Sequence, residues 1–502
     1  MFKRIIKFFE SCPLRGVHAF TIVLLLFLIV HIFIFTGVQF IGHFRVCTGD
    51  ICPYNRAIAL MSKGRIFNSL LEIENVPNLP YHFFPIFWLF LPLYKLFPGP
   101  FILQFLETFF LALGGIPIYW LARDKLKSNF AGMVFGICYL LYPALQAADL
   151  FGFHPKLMSV TFILFAFYYI EKGRFKSAMI FTFLALLTQE SVGVMVAALG
   201  IYTIFVIKNK RLGLVVFSMG VIWAFLTMVL LLPPLYDQPS YFQMHGSGSR
   251  RWSHLGSTSQ EIIINTLTNP VYAVTHNNFD MKLNHFVFLF APLGFVSFLD
   301  PLPMLIILHE AVMNFTSITP DFYSVYHHYQ GYYIPFIFIS AIGGVGRLLR
   351  ILKSKIGQKI LLYNILMMIL FFGILSNQLC ASIPLSRFAE HFYGISTFKP
   401  DNHYYLLMNT INSIPKNSSV VADHMICGYV GLFDRLYLSR ELPSIYKNRH
   451  GNLTADYLIY DSRVADEGSA LAWKNVDLIL DIGDNYTLTN STDGILLYKR
   501  NV

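Results

Sequence analysis

The residues of this chain best suited to chemistry are two carboxylates, four histidines and a pair of arginines. Asp50 stands in Cys47-Thr-Gly-Asp50, five residues ahead of Asn55, and Glu190 stands in Thr188-Gln-Glu-Ser191 inside an otherwise apolar stretch. A carboxylate beside imidazoles and aromatic rings can take a proton from an incoming hydroxyl, and a second can serve as acid or metal ligand. His82 lies in Tyr81-His-Phe-Phe-Pro85, Asp149 and His154 in Asp149-Leu-Phe-Gly-Phe-His154-Pro155, and His327 and His328 in Tyr326-His-His-Tyr329. Arg250 and Arg251 follow a Gly-Ser repeat, and guanidinium groups grip phosphate in bidentate fashion. Each feature also has a plain structural reading. Asp50 suits a helix cap or a solvated loop, interfacial histidines are often satisfied by local hydrogen bonds, and arginines bind anionic lipid surfaces. Glu190 is the more pointed of the two acids, because a carboxylate within an apolar run is costly and usually faces a polar cavity. Glu107 and His309-Glu310, also within apolar runs, read as interior polar contacts.

These groups need a scaffold, and the composition says which kind. Of 502 residues, 55% are hydrophobic and only 13% charged, against about 25% charged in an ordinary soluble domain. Gly16 to Gly42 contains no Asp, Glu, Lys or Arg, which is long enough to cross roughly 30 Å of hydrocarbon and too uninterrupted for a cleaved leader. The net charge of +10 does not gather into a nucleic-acid footprint. The basic residues fall between apolar runs: Lys3, Arg4, Lys7 and Arg15; Arg123, Lys125 and Lys127; Lys172, Arg174 and Lys176; Lys208, Lys210 and Arg211; and Arg347 to Lys359. Short cytoplasmic loops retain Lys and Arg in this way. Placing each cluster inside predicts about eleven crossings, near 16–42, 100–122, 129–147, 156–171, 177–189, 191–207, 212–235, 283–299, 302–317, 331–346 and 359–379. The stretch 82–97 carries Pro85 and Pro92 and reads as an interfacial or re-entrant helix. The N-terminus then lies in the cytoplasm, and loops 43–99 and 236–282 lie outside.

The tail changes character. Short β-rich segments at Ser419–Ala422, Ala455–Asp461, Val476–Asp481 and Gly494–Arg500, with a helical candidate at Met425–Leu436, predict a small extracytoplasmic α/β domain over 381–502 beside a membrane domain over 1–380. Sequons at Asn417, Asn452, Asn485 and Asn490 fall in this tail, with a fifth at Asn314. Six cysteines are too few for a disulfide framework, and only Cys47 and Cys52 are close enough for a local bridge, two free thiols being the alternative. No Walker loop, dinucleotide fingerprint or metal-spaced cluster is present.

In order along the chain, Asp50 with Asn55, Gly64, His82-Phe-Phe-Pro85, Leu91-Pro-Leu-Tyr94, Ile116-Pro-Ile-Tyr119, Leu121-Ala-Arg123, Tyr139-Leu-Leu-Tyr-Pro143, Phe153-His154-Pro155, Gln189-Glu190, Tyr329 to Pro335, Ala455 to Asp461 and Gly494 to Arg500 resemble the DUF2079 membrane proteins. That family in turn looks like a relative of the GT-C glycosyltransferases. Two positions depart from the family pattern: Gly152 stands where an acid usually precedes Phe-His-Pro, with Asp149 the acid left to replace it, and Gln189 stands where a Lys is usual. The resemblance implies an all-α polytopic GT-C-like bundle and a sugar donor carried on polyprenyl or dolichyl phosphate. It implies Asp50 as the base activating an acceptor outside the membrane, with Glu190 as second acid. Asn55, His82, Asp149, His154, Arg250, Arg251, His327 and His328 become the expected substrate-binding groups, and Lys156 can join the cations that hold the phosphate. Membrane lipids and an extracytoplasmic glycan, lipid or protein acceptor are the expected partners, and no nucleic acid is. No cofactor is demanded, although acidic residues outside leave room for a divalent cation. Two other classes compete: a transporter or flippase, whose polar groups would follow a path through Glu107, Glu190 and Glu310, and a non-catalytic scaffold.

Overall fold

The computed structural model describes residues 51–64, 82–232, 250–325, 327–352, 357–380, 402–423, 426–433, 435–439, 454–463 and 467–501. The first apolar run, Asp50 and Cys47 lie outside them. The described chain begins with α1 (Ile51–Ser62), buried along nearly its whole length. The next helix, α2 (Phe87–Leu96), holds Pro92 and, at about 1.5 Å per residue, is too short to span a bilayer. Pro100 opens α3 (Pro100–Leu113), which continues through α4 (Gly115–Leu126) as one apolar span of 27 residues; a proline at the first helical position loses no hydrogen bond. Lys127 ends it in the left-handed conformation, and the Ser128 hydroxyl then caps α5 (Asn129–Leu140) by accepting from Ala131 N at 3.2 Å. Pro143 restarts the chain as α6 (Pro143–Leu150), bent 42° from α5.

Helices α7 (Ser159–Glu171), α8 (Phe175–Leu186), α9 (Val192–Phe205) and α10 (Lys210–Phe225) follow, the last prolonged by a π-helical segment to Leu231. A small cap of α11 (Ser259–Thr268) and α12 (Pro270–Thr275) precedes α13 (Phe279–Phe290), α14 (Leu308–Thr316), α15 (Ile334–Ile351) and α16 (Gln358–Cys380). Among the described residues four helices are long and apolar enough to cross a membrane, or five if α5 and α6 form one bent span. The expected crossings 283–299 and 302–317 are broken instead. Ala291–Leu293, Val296–Leu299 and Leu302–Ile307 are 3-10 turns, with Gly294 and Phe295 left-handed between the first two, because Pro292, Pro301 and Pro303 remove donors and crowd the preceding turn.

The α9–α10 hairpin shows how bare helices pack here. Gly193 and Gly200 on α9 face Gly220 and Gly213 on α10. A Cβ on Gly200 would lie 2.3 Å from Phe217 N, and one on Gly220 would lie 2.4 Å from Ala197 N. The two backbones therefore touch, the close approach that small residues permit between helices in lipid. At one end of the bundle the basic clusters meet acids. Lys125 reaches Glu171 at 3.2 Å, Arg123 and Lys172 both pair with Asp124, and Arg347 reaches Asp300 at 2.7 Å.

The tail folds into a five-stranded sheet ordered β2-β1-β3-β5-β4, from β1 (Ser419–Ala422), β2 (Arg435–Leu438), β3 (Tyr457–Asp461), β4 (Tyr486–Thr492) and β5 (Ile495–Arg500). Strands β1, β2 and β3 run parallel, and β5 is antiparallel to β3 and β4. Alternation sends Val420, Ala422, Leu438 and Ile459 into the large core shared with Leu407 and Ile411 of the helix Asn402–Ser413, and Val421, Tyr437 and Leu458 toward Val476 and Leu480. Two expectations need correction. Val476–Asp481 is not a strand: Val476 and Leu480 lie in a helix over Glu467–Leu480, where Ala472, Val476 and Leu480 are buried at four-residue spacing and Leu478 is 82% exposed. Met425–Leu436 is not one helix either, since among the described residues of that range only Cys427–Val430 is helical and Leu436 belongs to β2, where it pairs with Val420. Asn314 is buried against the Tyr333 hydroxyl, which removes it as an acceptor for glycan, and Cys52 carries a free buried thiol.

Candidate functional site

The end of the bundle opposite the Asp124 cluster gathers His154, His327 and His328 into one column. The turn 152–155 leaves α6, and Pro155 holds His154 in an extended conformation (φ −137°, ψ 110°), as a residue preceding proline prefers. Its imidazole stacks on that of His328 with centroids 3.6 Å apart. His328 belongs to the 3-10 turn His328–Tyr333 that runs straight into α15. Beyond it Tyr329 lies at 4.1 Å, Phe322 stacks on Tyr329 at 4.3 Å, and the Arg251 guanidinium covers Phe322 at 4.4 Å. Phe151 packs against His154, His327 and His328 together, and Tyr54 of α1 meets His154 edge-on at 5.8 Å. Arg251 is thus linked to the histidine pair through a chain of ring contacts, tilted at Phe322–Tyr329 and Tyr329–His328 and stacked at His328–His154. Nδ1 of His154 donates to the Gly152 carbonyl at 2.9 Å, which makes Nε2 the basic nitrogen of the neutral ring.

Carboxylates from four elements frame this column. Glu190, fully buried in the turn between α8 and α9, accepts from His82 Nδ1 at 2.6 Å and from Phe83 N at 2.8 Å. Both oxygens are engaged by the His82-Phe83 turn, so Glu190 orients His82. That turn reaches the column through Phe84 and Phe87, which pack on Tyr54 and Phe153. Glu107 of α3 accepts from the backbone N–H of His154, while Asp149 accepts from Thr108 Oγ1 at 2.7 Å and, at 3.5 Å, from Gln104. The two carboxyl groups lie close enough to interact electrostatically. Lys156 pairs with Glu310 of α14, and its ammonium lies 4.0 Å from the centre of the Tyr332 ring. A buried pair of this kind is costly unless further contacts satisfy it, and the Tyr332 face provides one.

Of the residues singled out from the sequence, His82 with Glu190, and Asp149, His154, His327, His328 and Arg251, lie in or around the column. Asn55 does not. It accepts from the Tyr94 hydroxyl at 2.7 Å and donates to the Gly428 carbonyl at 2.9 Å, while Arg56 beside it donates to the carbonyls of Gly431 and Phe433. Both side chains fasten α1 to the 427–433 segment. Asp50 lies outside the described residues, and Arg250 only opens the short turn Arg250–Trp252. His327 faces the exposed Asp321 at 3.6 Å. Glu107 and Glu310, read from the sequence as interior contacts, turn out to hold His154 and Lys156, and Tyr54, Phe151 and Tyr332 carried no signal that separates them from core aromatics. Among the described residues no group of three His, Cys, Asp or Glu side chains is gathered to hold a metal ion.

Beside the column an apolar groove of about 220 Å³ opens between Pro143 and Ala147 of α6, Asn284, Val287 and Phe288 of α13, and Ser376 and Cys380 of α16. Val325, two residues before His327, also lines it.

Comparison with known proteins places this architecture. The structure of ArnT from Cupriavidus metallidurans bound to undecaprenyl phosphate superimposes with a TM-score of 0.53 at 12% identity, covering 97% of this chain and 98% of that one. The apo structure of the same protein gives 0.52 at 14% identity over 96% and 97%. The fold is therefore ArnT-like: an apolar helical bundle with a small sheet at its C-terminus. No curated protein matches the sequence. Residues 47–497 match the family described as predicted membrane protein, DUF2079, and the chain belongs to that family.

Proposed function

We propose that this membrane protein is a glycosyltransferase of the GT-C type, taking a sugar from a polyprenyl- or dolichyl-phosphate donor and passing it to an acceptor outside the cytoplasm. The observation that carries the reading is the juxtaposition of the histidine column with the apolar groove. A lipid-phosphate sugar needs an apolar channel for its chain, cations for its phosphate and a base for its acceptor. The groove suits the chain, and Arg251, with Lys156 behind it and His154 when its Nε2 carries a proton, suits the phosphate, while His328 packs against the His154 ring. Undecaprenyl phosphate occupies the ArnT structure of similar fold.

In this reading Asp50 is the base that takes the acceptor proton, His82 lines the acceptor side under the hold of Glu190, and a single displacement inverts the anomeric carbon. Arg250 adds to the phosphate clamp. The donor already carries its activation in the phosphate ester, so no nucleotide is needed beyond the membrane. With the broken segments 283–299 and 302–317 counted as interrupted crossings, the bundle crosses about eleven times, with the N-terminus and the Asp124 cluster in the cytoplasm and the column, the cap and the 381–502 domain outside. The transport reading wanted a polar path through Glu107, Glu190 and Glu310. Each of these instead binds a group framing the column: His154, the His82 turn and Lys156.

The test is sugar release and transfer from a panel of undecaprenyl- and dolichyl-phosphate sugars by the reconstituted chain and by Asp50→Asn. Turnover by the wild type, reduced at least roughly a hundredfold in the variant, is the expected result. Equal turnover removes Asp50 from the mechanism, and no turnover across the panel removes the transferase reading.

A further inference from the structure

The cap exposes a surface that the bundle does not use. Helix α11 has no buried residue. Ile263, Ile264 and Leu267 are 59%, 58% and 75% exposed, and Val271 and Tyr272 of α12 continue the surface at 74% and 47%. Ile263 and Leu267 stand one turn apart on α11, and Val271 follows on α12 beyond the break at Asn269. Of the apolar residues of α11, Ile262 turns inward, against Trp252, Leu255 and Ala273.

This stripe is not the edge of a loose loop. The Thr258 hydroxyl accepts from Glu261 N while the Glu261 side chain accepts from Thr258 N, a capping box that sets the first turn. Asn265 Nδ2 donates to the Leu255 carbonyl at 2.6 Å, and Trp252 Nε1 donates to Met313 O and Thr316 Oγ1, each at 3.2 Å. A built element that shows a contiguous apolar face to solvent needs an occupant.

We infer that the occupant is the bilayer itself: α11 and α12 lie in the plane of the lipid interface, with Ile263, Ile264, Leu267 and Val271 sunk among the acyl chains. The surrounding surface says so. Helix α12 packs against α14, whose Val312 and Met313 are themselves exposed, and α13 follows with Phe279, Met281 and Leu283 exposed. The stripe therefore continues the lipid-facing flank of the bundle. At roughly 1.5 Å per residue α11 is too short to cross, and a short helix apolar on one side and polar on the other settles in the interface. The consequence reaches the column. Arg251, which covers Phe322, adjoins Trp252, the residue that ties the cap to α14, so the depth of the cap in the leaflet sets the position of that guanidinium.

The test places the photoreactive residue p-benzoylphenylalanine at Leu267, at Val271 and, as a water-facing control, at Asp477 in the full chain. The chain is reconstituted in vesicles of phosphatidylcholine and phosphatidylglycerol, and the adducts are identified by mass spectrometry. Lipid adducts at 267 and 271 exceeding those at 477 by at least tenfold are expected. Equal lipid labelling at all three positions overturns the proposal, and so does cross-linking of positions 267 and 271 to a second copy of this chain or to a peptide of another protein. The readout is independent of any transferase activity, so its failure and that of the proposed function can be told apart.

Discussion

The α9–α10 hairpin and the histidine column lie in one bundle and are held together in opposite ways. In the hairpin four glycines let two backbones touch, and shape alone suffices. Around the column ring packing is joined by specific pairing: Glu107, Asp149, Glu190 and Glu310 each accept through at least one oxygen from a donor on another element. Packing by shape is cheap in an apolar medium, whereas a buried carboxylate is tolerated only where something is built around it. The density of such carboxylates at one end is what the proposed site rests on.

That contrast can be broken deliberately. Lys156→Met leaves Glu310 buried without its cation, a loss of about 3–5 kcal/mol. Its thermal unfolding temperature should drop the most of the variants described here, and Lys156→Met with Glu310→Leu should recover most of the loss. No recovery would mean that the pair is incidental to the packing. In the hairpin, Gly200→Val forces a Cβ into the Phe217 backbone and should cost about 3 kcal/mol, whereas Gly483→Ala, with open space around it, should cost less than about 1 kcal/mol. Similar melting temperatures for the two would contradict the close approach of α9 and α10. Asn55→Ala removes the bonds to Tyr94 and Gly428 for about 2 kcal/mol. Hydrogen exchange should then quicken in 427–433 and leave α9 and α10 unchanged.

The smallest effect belongs to the sheet. His403 of the helix Asn402–Ser413 bridges Asp461 at 2.8 Å and Asp493 at 3.0 Å, and Arg463 also pairs with Asp493. Desolvation works to raise the Asp493 carboxyl, but hydrogen bonds from His403 and Arg463 outweigh it and hold the group below its ordinary 3.8. A carboxyl depressed in the folded state adds stability above that value and loses it as the pH falls through the lowered one. Asp461 behaves oppositely, since burial raises it, and its contribution declines as the pH rises through the raised value. Protection of the Ser462 amide, whose N–H donates to Gly494, taken relative to intrinsic exchange at each pH, should therefore fall below about pH 4. A flat profile down to pH 3 would contradict the bridge.

Much of this organisation could be read from the chain. The spacing of Lys and Arg between apolar runs anticipated that these clusters share one end, and the β-rich segments Ser419–Ala422 and Ala455–Asp461 anticipated two of the strands. The apolar run at 476–480 misled because a short stretch of this kind suits strand and helix equally; Ala472, one turn earlier, was the arbiter. Glu310 gave no sign of its partner because Lys156 lies 154 positions away, and nothing in local spacing encodes such a meeting. His154 was legible through Pro155, whereas its stacking on His328 depends on the turn His328–Tyr333 packing back on α6, far away in sequence.

The most direct test of the account is the binding of undecaprenyl phosphate to the reconstituted chain, measured by native mass spectrometry for the wild type and for His154→Ala with His328→Ala. The column reading predicts a bound lipid phosphate whose affinity falls at least tenfold in the double variant while the melting temperature stays within a few degrees. Equal affinity in the two proteins would contradict the assignment of the histidine column as the phosphate site.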